Sequence, residues 1–130
     1  MALTLNINNN EYAFRFGFAF LREINPIHRQ MVEELNEYED IGFQVEVMKW
    51  MGDDYTGLVN ILWYANKTEK PRIEKKDIEE WIENMTLEEF SEVSEKVRAF
   101  LSETVLCSKI LERVSLRMKE MEKMQNEMSQ

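Results

Sequence analysis

Two short runs of alternating apolar residues, set on either side of an asparagine cluster, constrain this chain more than any other feature. Leu3, Leu5 and Ile7 alternate with Thr4 and Asn6; after Asn8-Asn9-Asn10, Tyr12, Phe14 and Phe16 alternate with Ala13 and Arg15. Period-two patterning around residues that tolerate positive φ predicts an antiparallel hairpin with one apolar face. Gly17 breaks the alternation, and from Phe16 the apolar residues fall at Phe20, Leu21, Ile24 and Ile27, a helical spacing. A hairpin alone is only marginally stable in water, so this face must be covered by a helix or by a neighbouring subunit. Each phenylalanine buried there contributes roughly 1.5–3 kcal/mol.

The remaining sequence reads as helices. Asn25-Pro26 suits a helix start, and a second helix is predicted from Pro26 to Tyr38 with Ile27, Met31 and Leu35 on one stripe. Phe43 to Met51 is ambiguous at first, because Phe43, Val45 and Val47 also alternate. The apolar set extends to Trp50 and Met51, which favours helix, and Gly52 ends it. Asp53 or Asp54 then caps a helix from Tyr55 to Asn66 whose Leu58, Val59, Ile61, Leu62, Tyr64 and Ala65 leave almost no polar face, the mark of a central buried helix. Asn66 to Arg72 is a polar linker. Ile78, Trp81, Ile82 and Met85 mark the next helix, and Thr86 with Glu89 fits a capping box that opens another. The expected fold is α+β and mostly α: an N-terminal β-hairpin packed on a bundle of about five to six helices with a long C-terminal helix.

From Phe90 to Met128 the spacing alternates between three and four: Phe90, Val93, Val97, Phe100, Thr104, Cys107, Leu111, Val114, Met118, Met121, Gln125, Met128. That is a heptad seam shared with another helix. One unbroken helix from Thr86 to Met124 would run about 58 Å, longer than a domain of this size can cover. Either it breaks near Ser102-Glu103-Thr104 into an antiparallel pair, or its end projects and packs on another chain. The expected organisation is a hairpin-plus-helices domain over residues 1–102 followed by a Met-rich amphipathic helix over 103–130.

Charge and chemistry exclude more than they select. The chain has 130 residues, 44% hydrophobic and 32% charged, as in soluble globular proteins, and no apolar run nears the ~20 residues of a membrane span. The start MALTLNI lacks a basic region and a cleavage motif, so no signal peptide is read and a cytoplasmic protein is expected. Of 25 acids and 16 bases, five and five lie from Glu103 onward, which leaves 20 acids against 11 bases before it. Such a surface repels phosphate backbones, which argues against nucleic acid as a partner. Cys107 is the one cysteine and reads as a small packed residue; His28, the one histidine, reads as a surface or partly packed side chain. Asp53-Asp54 and the glutamate pairs lack the spacing of a calcium loop, no His/Cys cluster exists, and the four glycines form no phosphate loop, so neither metal nor cofactor nor catalysis is expected.

The candidate functional residues are therefore apolar ones that would meet a protein. Phe16, Phe20, Trp50 and Trp63 form an aromatic-rich set suited either to the core or to holding a client helix. Leu111, Val114, Met118 and Met121 lie on the C-terminal seam, where Met118, Met121, Met124 and Met128 present either an adaptable thioether surface or a frayed tail. The hairpin edge or this seam would join subunits.

Several segments in order carry a family resemblance: the hairpin; Gly17-Phe18-Ala19-Phe20-Leu21-Arg22-Glu23; Ile41-Gly42-Phe43; Met51-Gly52-Asp53 leading into Leu58 to Ala65; and Pro71-Arg72-Ile73 before Ile78-Glu79-Glu80-Trp81-Ile82. Over about residues 3–83 the chain resembles the tail assembly chaperones of siphophages, especially those of Gram-positive hosts. The resemblance implies a non-catalytic assembly factor, absent from the finished virion. It would bind the long helical tape measure protein, keep it soluble and recruit tail tube subunits, acting as a homo-oligomer and as the short form of a frameshifted pair. A different class, a small helical adaptor dimerising through its C-terminal heptads, is the alternative.

Overall fold

The computed structural model describes residues 1–129. Gln130, the last residue of the expected C-terminal segment, lies outside the described residues. Strands β1 (Leu3–Ile7) and β2 (Asn10–Phe14) pair antiparallel, with Leu5 opposite Tyr12 and Leu3 opposite Phe14. Asn8 and Asn9 make the turn at φ of 53° and 67°, a region asparagine enters at lower cost than most residues. Leu3, Leu5, Ile7 and Phe14 are buried, so the alternating face is the packed one. The Arg15 N–H donates to the Ala65 carbonyl at 2.9 Å, fixing the end of the hairpin against the helix below.

Gly17 leads into helix α1 (Phe18–Ile24), which continues as a single 3₁₀ turn over Asn25–Ile27. Here the expected helix from Pro26 to Tyr38 does not form. The chain instead makes a second antiparallel hairpin, β3 (Arg29–Val32) and β4 (Glu37–Asp40), with Met31 opposite Tyr38. The stripe of Ile27, Met31 and Leu35 that suggested a helix meets no core: all three are exposed. Asn36 at φ 53° closes the four-residue loop. Without an apolar surface to pack on, helical spacing confers nothing, and Val32 and Tyr38 suit a strand pair. Asn25 does cap a helix, but a different one: its Oδ1 accepts from the Phe43 N–H at 3.0 Å, at the start of α2.

Helices α2 (Gly42–Met51) and α3 (Thr56–Asn66) form the centre. They cross closely because Gly57 has no side chain; a Cβ there would lie 2.9 Å from both Lys49 Cβ and Trp50 N. Gly42 makes the same kind of approach to the end of α1, where a Cβ would meet Asn25 O at 2.9 Å. Gly52 ends α2 as expected. Asp54 Oδ1 accepts from the Thr56 hydroxyl at 2.6 Å and its N–H at 3.2 Å, and the hydroxyl bond above all holds the carboxyl below its ordinary value.

Asn66 does more than open a linker. Fully buried, its Nδ2 donates to Ala13 O and Pro71 O, and its Oδ1 accepts from the Ile73 N–H at 2.8 Å, so one amide joins the first hairpin, the end of α3 and the turn beyond it. Helix α4 (Lys75–Glu83) follows, packing on α3. The capping box forms as predicted: Glu89 N–H donates to Thr86 Oγ1 at 3.1 Å, and Thr86 N–H donates to Glu89 Oε1 at 3.0 Å. It starts helix α5 (Leu87–Ser102). The chain then breaks at residues 103–107 and turns into α6 (Ser108–Met128), which packs on α2 and α5. Of the two outcomes left open by the heptads, the break is the one observed. Among the described residues the architecture is α+β and mostly α, six helices with the N-terminal hairpin against them.

Candidate client-binding surface

Helix α6 is the element whose apolar stripe outruns the body it packs on. At 21 residues it is about 32 Å long. Cys107 at its start, then Leu111 and Val114, are buried in the shared core. Met118 is half-buried, its Cε 3.4 Å from where a Cβ at Gly52 would sit. Past Met118, residues 119–129 are all exposed. The stripe nevertheless continues through Met121 (47% exposed), Met124 (61%) and Met128 (85%). Among the described residues these thioethers are not part of the packed core, and a flexible, polarisable side chain accommodates partners of differing shape.

Beside this stripe, α5 and α6 enclose a groove of about 560 Å³ lined by Arg98, Ala99, Ser102, Leu111, Ser115 and Leu116, among others. Arg98 Nη2 donates to Ser115 Oγ at 3.2 Å across its floor, and Leu116 on its rim is 59% exposed. A smaller, more apolar hollow of about 360 Å³ opens where Phe16, Phe100 and Leu106 meet.

The eight candidate residues fall into two sets. Phe16, Phe20, Trp50, Leu111 and Val114 are buried. Phe16 meets Phe20 edge-on at 5.1 Å between ring centroids, and Phe20 meets Phe43 likewise at 5.4 Å, so these rings form one file through the core. Trp50 Nε1 donates to Ser94 Oγ at 2.9 Å, tying α2 to α5. Trp63, Met118 and Met121 reach the surface. Trp63 is covered on its face by Lys67 and Lys75, whose Nζ atoms lie 4.4 and 4.6 Å from the ring. Met118 and Met121 are brought together on α6; Trp63, on α3, belongs to a separate surface.

The reactive groups are occupied structurally. Burial pushes the Cys107 thiol up to about 11, against a weaker pull from Thr104, which leaves it a packed thiol rather than a nucleophile at neutral pH. His28 Nε2 lies 3.2 Å from Oε1 of the buried Glu46, which also receives Asn60 Nδ2 at 3.2 Å and Lys49 Nζ at 3.4 Å. Sequence reading missed Glu46; its only signal was a lone acid on the otherwise apolar face of α2. Among the described residues no cluster of His, Cys, Asp or Glu could hold a metal ion, and no helix is long and apolar enough to cross a membrane.

Helix α6 is thus a long surface helix whose apolar stripe runs on past the core. The family model of the phage tail assembly chaperone protein, TAC, matches residues 4–115. The chain belongs to that family. The matched region takes in both hairpins and helices α1 to α5, and ends within α6 just after Val114. No curated protein and no solved structure gives a significant match to the chain. The chaperone's Met-rich end, from Leu116 onward, lies beyond the matched residues.

Proposed function

We propose that this tail assembly chaperone binds the phage tape measure protein in the host cytoplasm, keeps it soluble, and helps recruit tail tube subunits without entering the finished virion or catalysing a reaction. The observation that carries the reading is the stripe of α6, which is core as far as Val114 and continues bare through Met121, Met124 and Met128. A tape measure protein is a long amphipathic helix that aggregates when its apolar face is left in water, and a second helix laid along α6 would complete the interrupted seam. Met118 and Met121, with Met124 and Met128 continuing the stripe, are the contacts we assign to the client, with the α5–α6 groove beside them. Phe16, Phe20, Trp50, Leu111 and Val114 would act from below by setting where α6 lies, and Trp63 would serve a separate contact.

The test is co-expression of the chaperone with the tape measure protein of the same phage. The tape measure is expected in the soluble fraction, and to co-purify, only when the chaperone is present. A tape measure that is equally soluble alone contradicts the proposal.

A further inference from the structure

We propose that copies of this chaperone associate through the β3–β4 ribbon of one and the basic turn after α3 of another. The ribbon is a two-stranded sheet with both edges open, standing on the 3₁₀ turn. Such a pair is marginal unless something lies against it. Met31 and Tyr38, a cross-strand pair on one face, are 42% and 65% exposed, and Leu35 at the tip is 67% exposed. At its foot Phe18 is 65% exposed and lines a shallow hollow with Leu21, Pro26 and Asp40. An apolar face of this kind needs an occupant.

Charge identifies the occupant. Residues 29–40 carry five acids and one base, Arg29, which is bound to Asp40 at 3.1 Å. Glu33, Glu34, Glu37 and Glu39 have no ion-pair partner among the described residues. Two ribbons would therefore repel one another, and what meets this one must be basic. The densest basic run of the chain follows α3. Of the 11 bases before Glu103, five lie within Lys67 to Lys76, against two acids. Lys70 and Arg72 are exposed and form no ion pair among the described residues. Lys67 and Lys75 stand over the Trp63 ring, which supplies an aromatic floor between the cations. Asn66 holds this turn rigid from beneath through its three hydrogen bonds. The acidic ribbon with apolar Met31 and Tyr38 thus has its complement, cations around an aromatic, on every other copy.

The interface is small. A ribbon of four-residue strands is only about 13 Å long, so the contact falls below the size of a permanent dimer and the association is weak, concentration-dependent and sensitive to salt. It is independent of the client-binding reading, since self-association is measured with the chaperone alone.

Sedimentation velocity of the intact chain over a hundredfold concentration range tests it, at about 0.05 M and about 0.5 M NaCl. At low salt the average mass should rise above the 15.6 kDa of one chain, and at high salt return towards it. Glu37→Lys with Glu39→Lys, and separately Lys70→Glu with Arg72→Glu, should each weaken association at least tenfold while leaving the circular dichroism spectrum unchanged. An equal mixture of the two variants should recover it, because both cross-pairings, native ribbon on native turn and reversed ribbon on reversed turn, join opposite charges; Glu37→Gln with Glu39→Gln should give an intermediate loss. A wild-type chain that stays monomeric throughout at low salt overturns the proposal. So does association that survives both reversals, or that mixing fails to restore.

Discussion

Replacing Gly57 with alanine tests the close crossing of α2 and α3, and two effects of opposite sign compete. In an exposed helix the change would stabilise by about 1 kcal/mol, because alanine loses less backbone entropy than glycine. At Gly57 the new Cβ would sit 2.9 Å from Lys49 Cβ and from Trp50 N, and closer still to the Glu46 carbonyl oxygen. Carbon atoms rest about 3.5–4.0 Å apart and the Glu46 carbonyl oxygen is the nearest of the three, so α2 and α3 must part by at least about 1 Å at the crossing, and backbone atoms cannot rotate aside. Overpacking of this kind costs about 1–3 kcal/mol. It falls at the upper end here, since the same two helices bury Phe43, Val47, Trp50, Leu58, Ile61 and Leu62 against one another and their neighbours. The net loss is about 2 kcal/mol, or about 8 °C in Tm for a domain of this size. Thermal unfolding followed by circular dichroism measures it, with Gly17→Ala as the control. No atom lies within 4 Å of a Cβ at Gly17, so that variant should move by no more than about 0.5 kcal/mol. A Gly57→Ala chain as stable as wild type would refute the close packing of α2 on α3.

Other substitutions probe the polar ties. Asn66→Ala strands the Ala13 and Pro71 carbonyls and the Ile73 N–H, and should cost about 3 kcal/mol in urea unfolding. Glu46→Ala leaves Asn60, His28 and Lys49 without their shared acceptor; because His28 and Lys49 are each about a third exposed, the expected loss is about 2 kcal/mol by the same assay. Thr86→Ala removes the α5 cap at a cost of about 1 kcal/mol. The Glu89 carboxyl is held below its ordinary value, first by the Thr86 backbone bond and then by its hydroxyl. A lowered carboxyl contributes stability that is fully present above its unfolded value, about 4.3, and is lost as pH falls through the folded one. Glu89→Gln should therefore flatten the acid side of the urea-midpoint profile, and an unchanged profile would show that the capping box contributes nothing to acid sensitivity.

The sequence made the fold legible wherever local chemistry and packing agree. The first hairpin was readable because its alternating face is buried and its turn is built from asparagines that accept φ near 60°. Helix α3 was readable because a segment apolar on all sides has to be central, and α5 because its capping box is a purely local device. Residues 26–40 misled because spacing records which residues would share a helical face, not whether anything waits to receive that face. Ile27, Met31 and Leu35 remained in water, so the pattern had no energetic content. Asn25 and Asn66 show a related limit: an amide side chain at a helix end advertises a cap, while a partner it finds, Phe43 in one case and Ala13 in the other, lies far along the chain. The α6 stripe was visible from the heptads, but the residue at which it passes from core to open surface, Met118, depends on where α2 ends, and only the folded chain shows that.

If the bare end of α6 holds the tape measure protein, as proposed, the soluble yield of tape measure co-expressed with a Met121→Glu, Met124→Glu, Met128→Glu chaperone will report it. All three side chains are exposed, so the variant should melt with the wild type, while about 1.5–3 kcal/mol per buried methionine is lost from any complex they enter. The triple variant should fold and no longer keep the tape measure soluble. A triple variant that solubilises it as well as wild type would place the client elsewhere on the chaperone.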